Sequence, residues 1–351
     1  MLSLIWFILI LGVIVAVHEF GHFIFAKMAD IYVYEFSIGM GKKIFGKKKK
    51  DGETEFCIRA IPIGGYVAIA GEDVEDKKIP KDRQMCNKGF LPRFLVLVAG
   101  VFNNFLFAIL VLFISGLIYG SVSLKPYVGD VNPDYPAYQV GIEKGDLLLE
   151  LNGTRIKSWD KALILLQTGN GESMSFKVQK ANGDVVTYDV TPIKETDSEG
   201  NESYKFGIAT NYEKEYGVGK AIKYAFAKTG SLLVSMWDTI KYLFTGRVGV
   251  NQLSGPVGIY SIVDSQAKQG FEAILYLVAY LSINVGVINI LPFPAFDGGR
   301  VLFLFIEKIF RKPVSKKVEN IIHTVGFGLI ILLLIYVTFN DIIRLFWYLK
   351  T

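Results

Sequence analysis

The stretch that decides the fold is Val15-Ala16-Val17-His18-Glu19-Phe20-Gly21-His22-Phe23-Ile24-Phe25-Ala26, the end of an apolar run that starts at the first residue. Two of the chain's three histidines stand four residues apart in it. On an α-helix that spacing puts both imidazoles on one face, where they can serve one metal ion, with Glu19 beside them as a base. A carboxylate at the centre of a membrane helix costs ~2.5–3.5 kcal/mol, so the group calls for a compensating partner, and a divalent cation is the natural one. The plainer alternative is that Glu19 and His22 mark the helix end at the lipid headgroups, since His-Glu-x-x-His also arises by chance.

The rest of the chain fits a membrane setting. Its 351 residues are 51% hydrophobic with a net charge of +5, and the mean hydropathy is +0.37. That composition describes an integral membrane protein carrying some soluble mass. The basic residues lie in blocks between apolar runs, a topology signal rather than a nucleic-acid footprint, and no nucleic-acid partner is expected. Cys57 and Cys86 both fall in a segment expected in the cytoplasm, so two free thiols are expected rather than a disulfide framework. No Lys or Arg precedes the first apolar run and no small-residue cleavage site follows it, so it does not read as a removable signal peptide.

Stretches 1–26, 94–119, 273–296 and 321–339 are each near the ~20 residues that cross a hydrocarbon core. Between the first two lie Lys42, Lys43, the run 47–50, Arg59, Lys77, Lys78, Lys81, Arg83, Lys88 and Arg93; between the last two lie Lys308, Arg311, Lys312, Lys316 and Lys317. The positive-inside rule puts both loops in the cytoplasm, and two spans separate them, so the assignments agree. Both termini and residues 120–268 then lie outside. At 1.5 Å per residue His18 sits roughly 25 Å along the first helix, towards the cytoplasmic face. The expected organisation is a first membrane helix (1–29), a basic loop with strands (30–93), a second helix (94–119), an outer module (120–213), an outer amphipathic region (214–268), a third helix (269–306), a basic loop (307–320) and a fourth helix (321–348).

Within the first basic loop, residues 55–70 are apolar, β-branched and punctuated by Pro62 and Gly64-Gly65, which reads as short strands with a turn or bulge. An open strand edge there can hold an extended peptide by β-addition; a hairpin that only covers the membrane surface fits the composition equally well. In the second span Gly100 permits close helix approach and Asn103 suits an interhelical hydrogen bond, while Asn104 either packs or faces the site. Residues 128–193 give a turn, an apolar strand, an Asn152-Gly153 hairpin turn, a short amphipathic helix and two alternating strands. This pattern resembles a PDZ domain of the kind found in bacterial proteases, which bind extended chain ends; a purely steric module is the alternative. Residues 197–202 form a polar connector. Apolar residues at helical spacing over 218–244, with lysines between them, suggest a helix lying on the outer membrane surface. Gly255-Pro256-Val257-Gly258 is a loop or helix-entry signal.

The third apolar stretch is interrupted by Asn289-Ile290-Leu291-Pro292-Phe293-Pro294-Ala295-Phe296-Asp297-Gly298-Gly299-Arg300. Non-helical backbone at membrane depth survives only when it is packed in protein or lines a wet cavity, which makes Asp297 a functional candidate. A catalytic zinc takes three protein ligands and leaves a position for water. His18 and His22 supply two and Asp297 is the best third; Cys57, Asp30 and His323 compete without so broken a context, and His323 reads as an interfacial residue.

These motifs together resemble the site-2 protease family of intramembrane zinc metalloproteases, most closely the bacterial branch with PDZ domains. The likeness rests on His18-Glu19-x-x-His22 with Asn289-x-x-Pro292-x-Pro294-x-x-Asp297-Gly298, on Pro62-x-Gly64-Gly65-Tyr66-Val67 followed by Gly71-Glu72, and on Gly255-Pro256-Val257-Gly258-Ile259. It covers essentially the whole chain. Val101 stands where the family often has Pro in Gly-Pro-x-x-Asn, and one PDZ module is apparent where some relatives carry two. The resemblance implies an α-helical integral membrane protein of a bacterial plasma membrane, with four transmembrane helices and one Zn2+ inside the membrane. It further implies a cytoplasmic membrane-associated β-hairpin region and an extracytoplasmic PDZ-like α+β domain. His18, His22 and Asp297 are then the metal ligands, Glu19 the catalytic base, and Gly65, Tyr66, Asn289 and Asn104 candidate substrate-binding residues. The expected substrates are single-pass membrane proteins trimmed beforehand by another protease, such as anti-sigma factors or remnant signal peptides, with lipid as the surroundings. The competing class is a non-catalytic metal transporter or a PDZ scaffold that binds membrane helices.

Overall fold

Four helices are long and apolar enough to cross a membrane: Leu2–Met28, Phe90–Tyr119, Phe271–Ile290 and Lys317–Arg344. They belong to a computed structural model that describes residues 2–48, 52–72, 75–169, 171–196, 202–210 and 213–348. Lys49 and Lys50 of the basic run and residues 197–201 of the polar connector lie outside the described residues. The chain forms two compact units, 1–111 with 256–336 and 112–255 with 337–351.

Helix α1 (Leu2–Met28) is rich in Ile and Val, poor helix formers in water but suited to lipid, where the backbone must bond to itself. It ends in a left-handed turn at Asp30, φ 51°. There Ile31 N–H bonds the Ala26 carbonyl at 2.9 Å and Asp30 N–H bonds that of Lys27 at 3.1 Å, a Schellman cap. Two long antiparallel strands follow, β1 (Val33–Lys48) and β2 (Glu55–Ile69). Both fold back on themselves: 43–48 pairs with 55–59, 55–58 with 35–38, and 35–38 with 65–68. Residues 65–69 thus form one rim of the sheet, with no strand on their outer edge among the described residues. The expectation of strands at 55–70 is met, but β1 escaped the sequence, because its Gly and Lys content conceals its alternation. Helix α2 (Phe90–Tyr119) then crosses α1 closely: a Cβ on Gly21 would lie 2.3 Å from the Ala99 carbonyl oxygen.

The second unit begins with short strands β3 (Ser121–Val122) and β4 (Val128–Val131) and the one-turn helix α3 (Pro136–Gln139). Its main sheet has the order β6-β5-β7-β8, from β5 (Leu147–Leu151), β6 (Thr154–Arg155), β7 (Met174–Gln179) and β8 (Val185–Val190). The two-residue β5–β6 turn puts Asn152 and Gly153 at φ 47° and 72°, which only such residues accept readily. In β7, Met174, Phe176 and Val178 point inward and alternate with half-buried polar residues. Helix α4 (Trp159–Thr168) covers this core, capped by Ser158, with Trp159 Nε1 donating to the Tyr127 carbonyl at 2.8 Å. Short strands β9 (Ile193–Thr196), β10 (Glu202–Lys205), β11 (Ile208–Thr210) and β12 (Lys214–Glu215) lead into α5 (Val218–Phe244). Helix α5 meets α4 through Lys228–Asp160 and Lys161–Asp238, both at 2.6 Å, and exposes Ile222, Phe226, Val234 and Trp237 on another face.

The amphipathic region expected over 214–268 is not continuous. Its second part, α6 (Pro256–Gln269), belongs to the first unit, where Val263 packs with Phe7, Ile10 and Ile14 of α1. Pro256 opens α6, where a missing N–H is harmless, and Gly255 N–H donates to the buried Asp341 carboxylate at 2.8 Å. The single third helix expected over 269–306 is also corrected: α7 (Phe271–Ile290) stops, and α8 (Asp297–Phe310) starts anew. Pro292 and Pro294 remove two backbone donors in between, so the helical ladder cannot run through. Helix α9 (Lys316–Tyr348) completes the chain.

Candidate metal centre

His18 and His22 sit on the buried side of α1, one turn apart, as their spacing requires. Their Nε2 atoms are 3.2 Å from each other. Oδ2 of Asp297, at the first residue of α8, lies 3.0 Å from His18 Nε2 and 3.4 Å from His22 Nε2. That oxygen is buried and makes no hydrogen bond. Three donor atoms 279 and 275 residues apart in sequence therefore meet in a triangle with sides of 3.0 to 3.4 Å.

The loop behind Asp297 is held in an uncommon shape. Ala295 has φ 80°, a region that costs a residue with a Cβ about 1 kcal/mol or more. The first turn of α8 presses on the loop so tightly that only glycines fit. A Cβ on Gly298 would lie 2.3 Å from the carbonyl oxygens of Ile290 and Leu291, and one on Gly299 2.4 Å from that of Phe293. Gly100 has the same role on the helix side: its Cβ would lie 2.4 Å from His22 Nε2 and 2.7 Å from His18 Nε2.

Each imidazole is oriented through its other nitrogen. His22 Nδ1 is 2.8 Å from the Val96 carbonyl, so Nδ1 carries the proton and Nε2 keeps a free lone pair. His18 Nδ1 is 3.2 Å from the side-chain amide of Asn104, whose Oδ1 has no partner. Asn104 is fully buried and does not line the cavity, which corrects its expected place at the substrate. Around it, Ser282 donates to the Asn104 carbonyl at 2.9 Å and Asn103 donates to the Val17 carbonyl at 2.8 Å, joining α1, α2 and α7. Ser282 gave no signal in the sequence beyond being a hydroxyl in an apolar run.

A cavity of about 500 Å³ opens on the triangle. Glu19, Gly65, Tyr66 and Asn289 line it together with His18, His22 and Asp297. Gly65 lies beside Glu19 (3.6 Å from a built Cβ to its Cγ), and a Cβ there would also meet the Ser37 carbonyl at 2.7 Å. The Tyr66 hydroxyl turns away to Glu35 at 2.9 Å, while Arg59 covers its ring.

The rival ligands are elsewhere. Cys57 belongs to a second cluster with Glu35 and Glu55, but Arg59 and Lys43 neutralise those carboxylates. Burial and the nearby Glu35 push the Cys57 thiol up to about 11, so it stays protonated. Asp30 is exposed and pairs with Arg83 at 3.2 Å. His323 turns towards the loop before Asp297, where its Nδ1 accepts the Ala295 N–H at 3.0 Å.

A family model for peptidase family M50 matches residues 6–333. The chain belongs to peptidase family M50. A Clostridium perfringens relative is 37% identical over 343 residues, covering 97% of this chain and 98% of that one. The zinc metalloprotease RasP of Oceanobacillus iheyensis is 32% identical over 428 aligned positions, covering 99% and 100%. The regulator of sigma-W protease RasP of Bacillus subtilis is 31% identical over 422, covering 98% and 99%. These alignments are longer than the 351 residues of this M50 chain, so both RasP proteins carry insertions it lacks. Among solved structures, the PDZ domain of an SdrC-like protein from Listeria monocytogenes aligns with 25% of the chain and 90% of its own, at 23% identity and a TM-score of 0.22.

Membership makes this M50 chain a zinc metalloprotease of the membrane. Its residues fit the metal. Two nitrogens and a carboxylate oxygen are a usual catalytic zinc set, and bonds of about 2.0–2.1 Å at tetrahedral angles imply ligand separations of about 3.3 Å. The unbonded Asp297 oxygen and the cradle at Gly100 are what such an ion requires.

Proposed function

We propose that His18, His22 and Asp297 hold the catalytic zinc and that Glu19 is the general base in hydrolysis of peptide bonds within membrane-spanning segments. The observation that carries this reading is the 3.0 to 3.4 Å donor triangle beside a cavity that Glu19 lines. Bound zinc supplies Lewis-acid chemistry, polarising a carbonyl and acidifying water. Glu19 takes the proton of the attacking water and passes it to the leaving amine. Its neighbours fix it in place, since the Val67 backbone hydrogen-bonds its carboxylate.

A helical substrate has its carbonyls bonded internally and must unwind to be cut. The open rim of β2 at Gly65–Tyr66 takes the unwound segment as an added strand, and Asn289 hydrogen-bonds it from the opposite wall. Asn104 orients His18: with its amide oxygen turned to Nδ1–H, it leaves Nε2 free for the metal and gives the unpaired Oδ1 a partner. The second unit, PDZ-like in its sheet and helix, excludes partners with large intact ectodomains. Its place is outside the cell, with both termini, while the basic segments 30–93 and 307–320 are cytoplasmic. The substrates are single-pass membrane proteins already shortened by another protease. The name of the Bacillus subtilis relative favours anti-sigma factors, with remnant signal peptides the other class.

Cleavage of a single-span substrate by purified protein in detergent tests the reading, wild type beside Glu19→Gln, with and without chelator. Cleavage by wild type alone, lost on chelation, with zinc bound in both proteins, is the expected result. Cleavage by Glu19→Gln at the wild-type rate would remove Glu19 from its role.

A further inference from the structure

The mechanism leaves one histidine unused. His323 lies on α9, a helix whose membrane-length window is only 11% buried. A helix with so little protein around it has few contacts to make, yet two of them fall on the loop that carries Asp297. His323 Nδ1 accepts the Ala295 N–H at 3.0 Å. One turn on, Gly326 lies against Pro294 so closely that a Cβ there would be 2.4 Å from the proline Cβ and 2.8 Å from its carbonyl oxygen. The two residues are three apart and share a helix face.

The residue being held is the strained one. Ala295, at φ 80°, is two residues before Asp297 and follows a proline. A left-handed alanine persists only where its surroundings over-determine it, and its backbone N–H needs an acceptor. The acceptor at Nδ1 answers both needs, and it fixes the imidazole tautomer with the proton on Nε2. The Phe303 ring of α8, 5.6 Å away centre to centre, keeps the imidazole from rotating.

We infer that His323 is a positioning residue for Asp297: by accepting the Ala295 N–H it locks the loop in the shape that delivers the carboxylate to the two α1 histidines. This rests on Asp297 being a metal ligand. Helix α9 then acts as a brace for the metal centre in addition to crossing the membrane.

The test is zinc affinity of the full chain in detergent, by competition with a chromogenic chelator, together with the visible spectrum of the cobalt-loaded protein. The variants are Asp297→Ala, His323→Phe, His323→Asn and His323→Gln. Phenylalanine keeps a ring without an acceptor, asparagine puts an acceptor near the Nδ1 position, and glutamine carries it one bond further out. His323→Phe is expected to bind zinc about 10- to 100-fold more weakly, the usual effect of losing a partner that orients a ligand, with His323→Asn within about threefold of wild type. Cobalt bands should shift in His323→Phe and return in His323→Asn.

Wild-type affinity and spectrum in His323→Phe would overturn the inference. So would His323→Asn as weak as His323→Phe, which is what a bulk-packing role gives. If His323→Phe does not fold, asparagine and glutamine decide: a strong asparagine and a weak glutamine support the inference, and equal affinities overturn it. Asp297→Ala separates the premise, because unchanged zinc binding there removes Asp297 as a ligand, whatever His323 does.

Discussion

The two sides of the candidate metal centre are built by opposite means. On one side a regular helix presents His18 and His22, and its geometry alone brings them together. On the other a short loop with a left-handed residue presents Asp297, and the loop keeps its shape through glycines and a hydrogen bond that it donates to another helix. The helix side is stiff and local; the loop side is strained and depends on partners. The difference teaches where each side is vulnerable. The helix side fails when something intrudes on it, and the loop side fails when something is taken away.

The largest expected effect is therefore an intrusion. Gly100→Ala places a methyl 2.4 Å from His22 Nε2, at a helix crossing so close that a Cβ on Gly21 would lie 2.3 Å from the Ala99 carbonyl oxygen. Zinc binding measured by metal analysis should fall below detection, and proteolysis with it. Normal zinc content in this variant would mean the helices are looser than the contacts imply.

Next comes the removal of an orienting group on the helix side. Asn104→Leu should weaken zinc binding by about 10- to 100-fold, and Asn104→Asp, which still accepts from His18 Nδ1–H, should recover most of it. Failure of the aspartate to recover binding would show that Asn104 fills space and does not set the tautomer.

The same exchange on the two sides sharpens the contrast. Ala16→Gly, within α1, should destabilise the protein by about 0.5–1 kcal/mol, because glycine loses more backbone freedom in a helix. Ala295→Gly relieves a left-handed alanine and should be neutral or stabilising by about 1 kcal/mol. Chemical unfolding in detergent reads both, and equal losses would erase the distinction drawn between the sides.

The smallest effect lies at the C-terminal end of α1. Glu53 is held down to about 2 by hydrogen bonds from Arg83 and Lys27. A carboxylate depressed in the folded state contributes stability that is present above its ordinary value near 4.5 and is lost as pH falls through about 2. Wild type should thus lose more stability than Glu53→Gln between about pH 4.5 and 2. The pair is a third exposed, so the difference is expected to be under about 1 kcal/mol. Identical acid profiles would show that the clamp contributes nothing.

The same contrast explains how much could be read from the sequence. A helical spacing of four is a local signal, so the cluster of His18 and His22 with Glu19 is visible before any folding is known. Asp297 was legible at one remove, as an acid in a broken apolar stretch, because prolines at membrane depth need a reason. The partners of His323 and Asn104 were not legible, since a lone polar residue in an apolar run gives no direction: only the fold turns one to Ala295 and the other to His18. The four spans followed from length and hydropathy. Strand β1 did not, because it is paired on both sides and carries glycines and lysines that no periodicity rule expects in a strand. The break between α7 and α8 was visible as a motif, yet its consequence, two helices in place of one, depends on where the backbone donors are lost.

The open rim of β2 has a consequence for selectivity on the binding mode proposed here. Main-chain ladders are indifferent to side chains, so such a rim cannot spell out a cleavage motif. What distinguishes one client from another is then the work of fraying a turn of its helix, and each 1.4 kcal/mol of that work changes the fraction of time spent frayed tenfold. A glycine or an asparagine in a client's span would act as a weak point, and a run of leucines as armour. Such an enzyme ranks its clients by mechanical softness, and a client could escape it by stiffening at a distance from the bond that is cut.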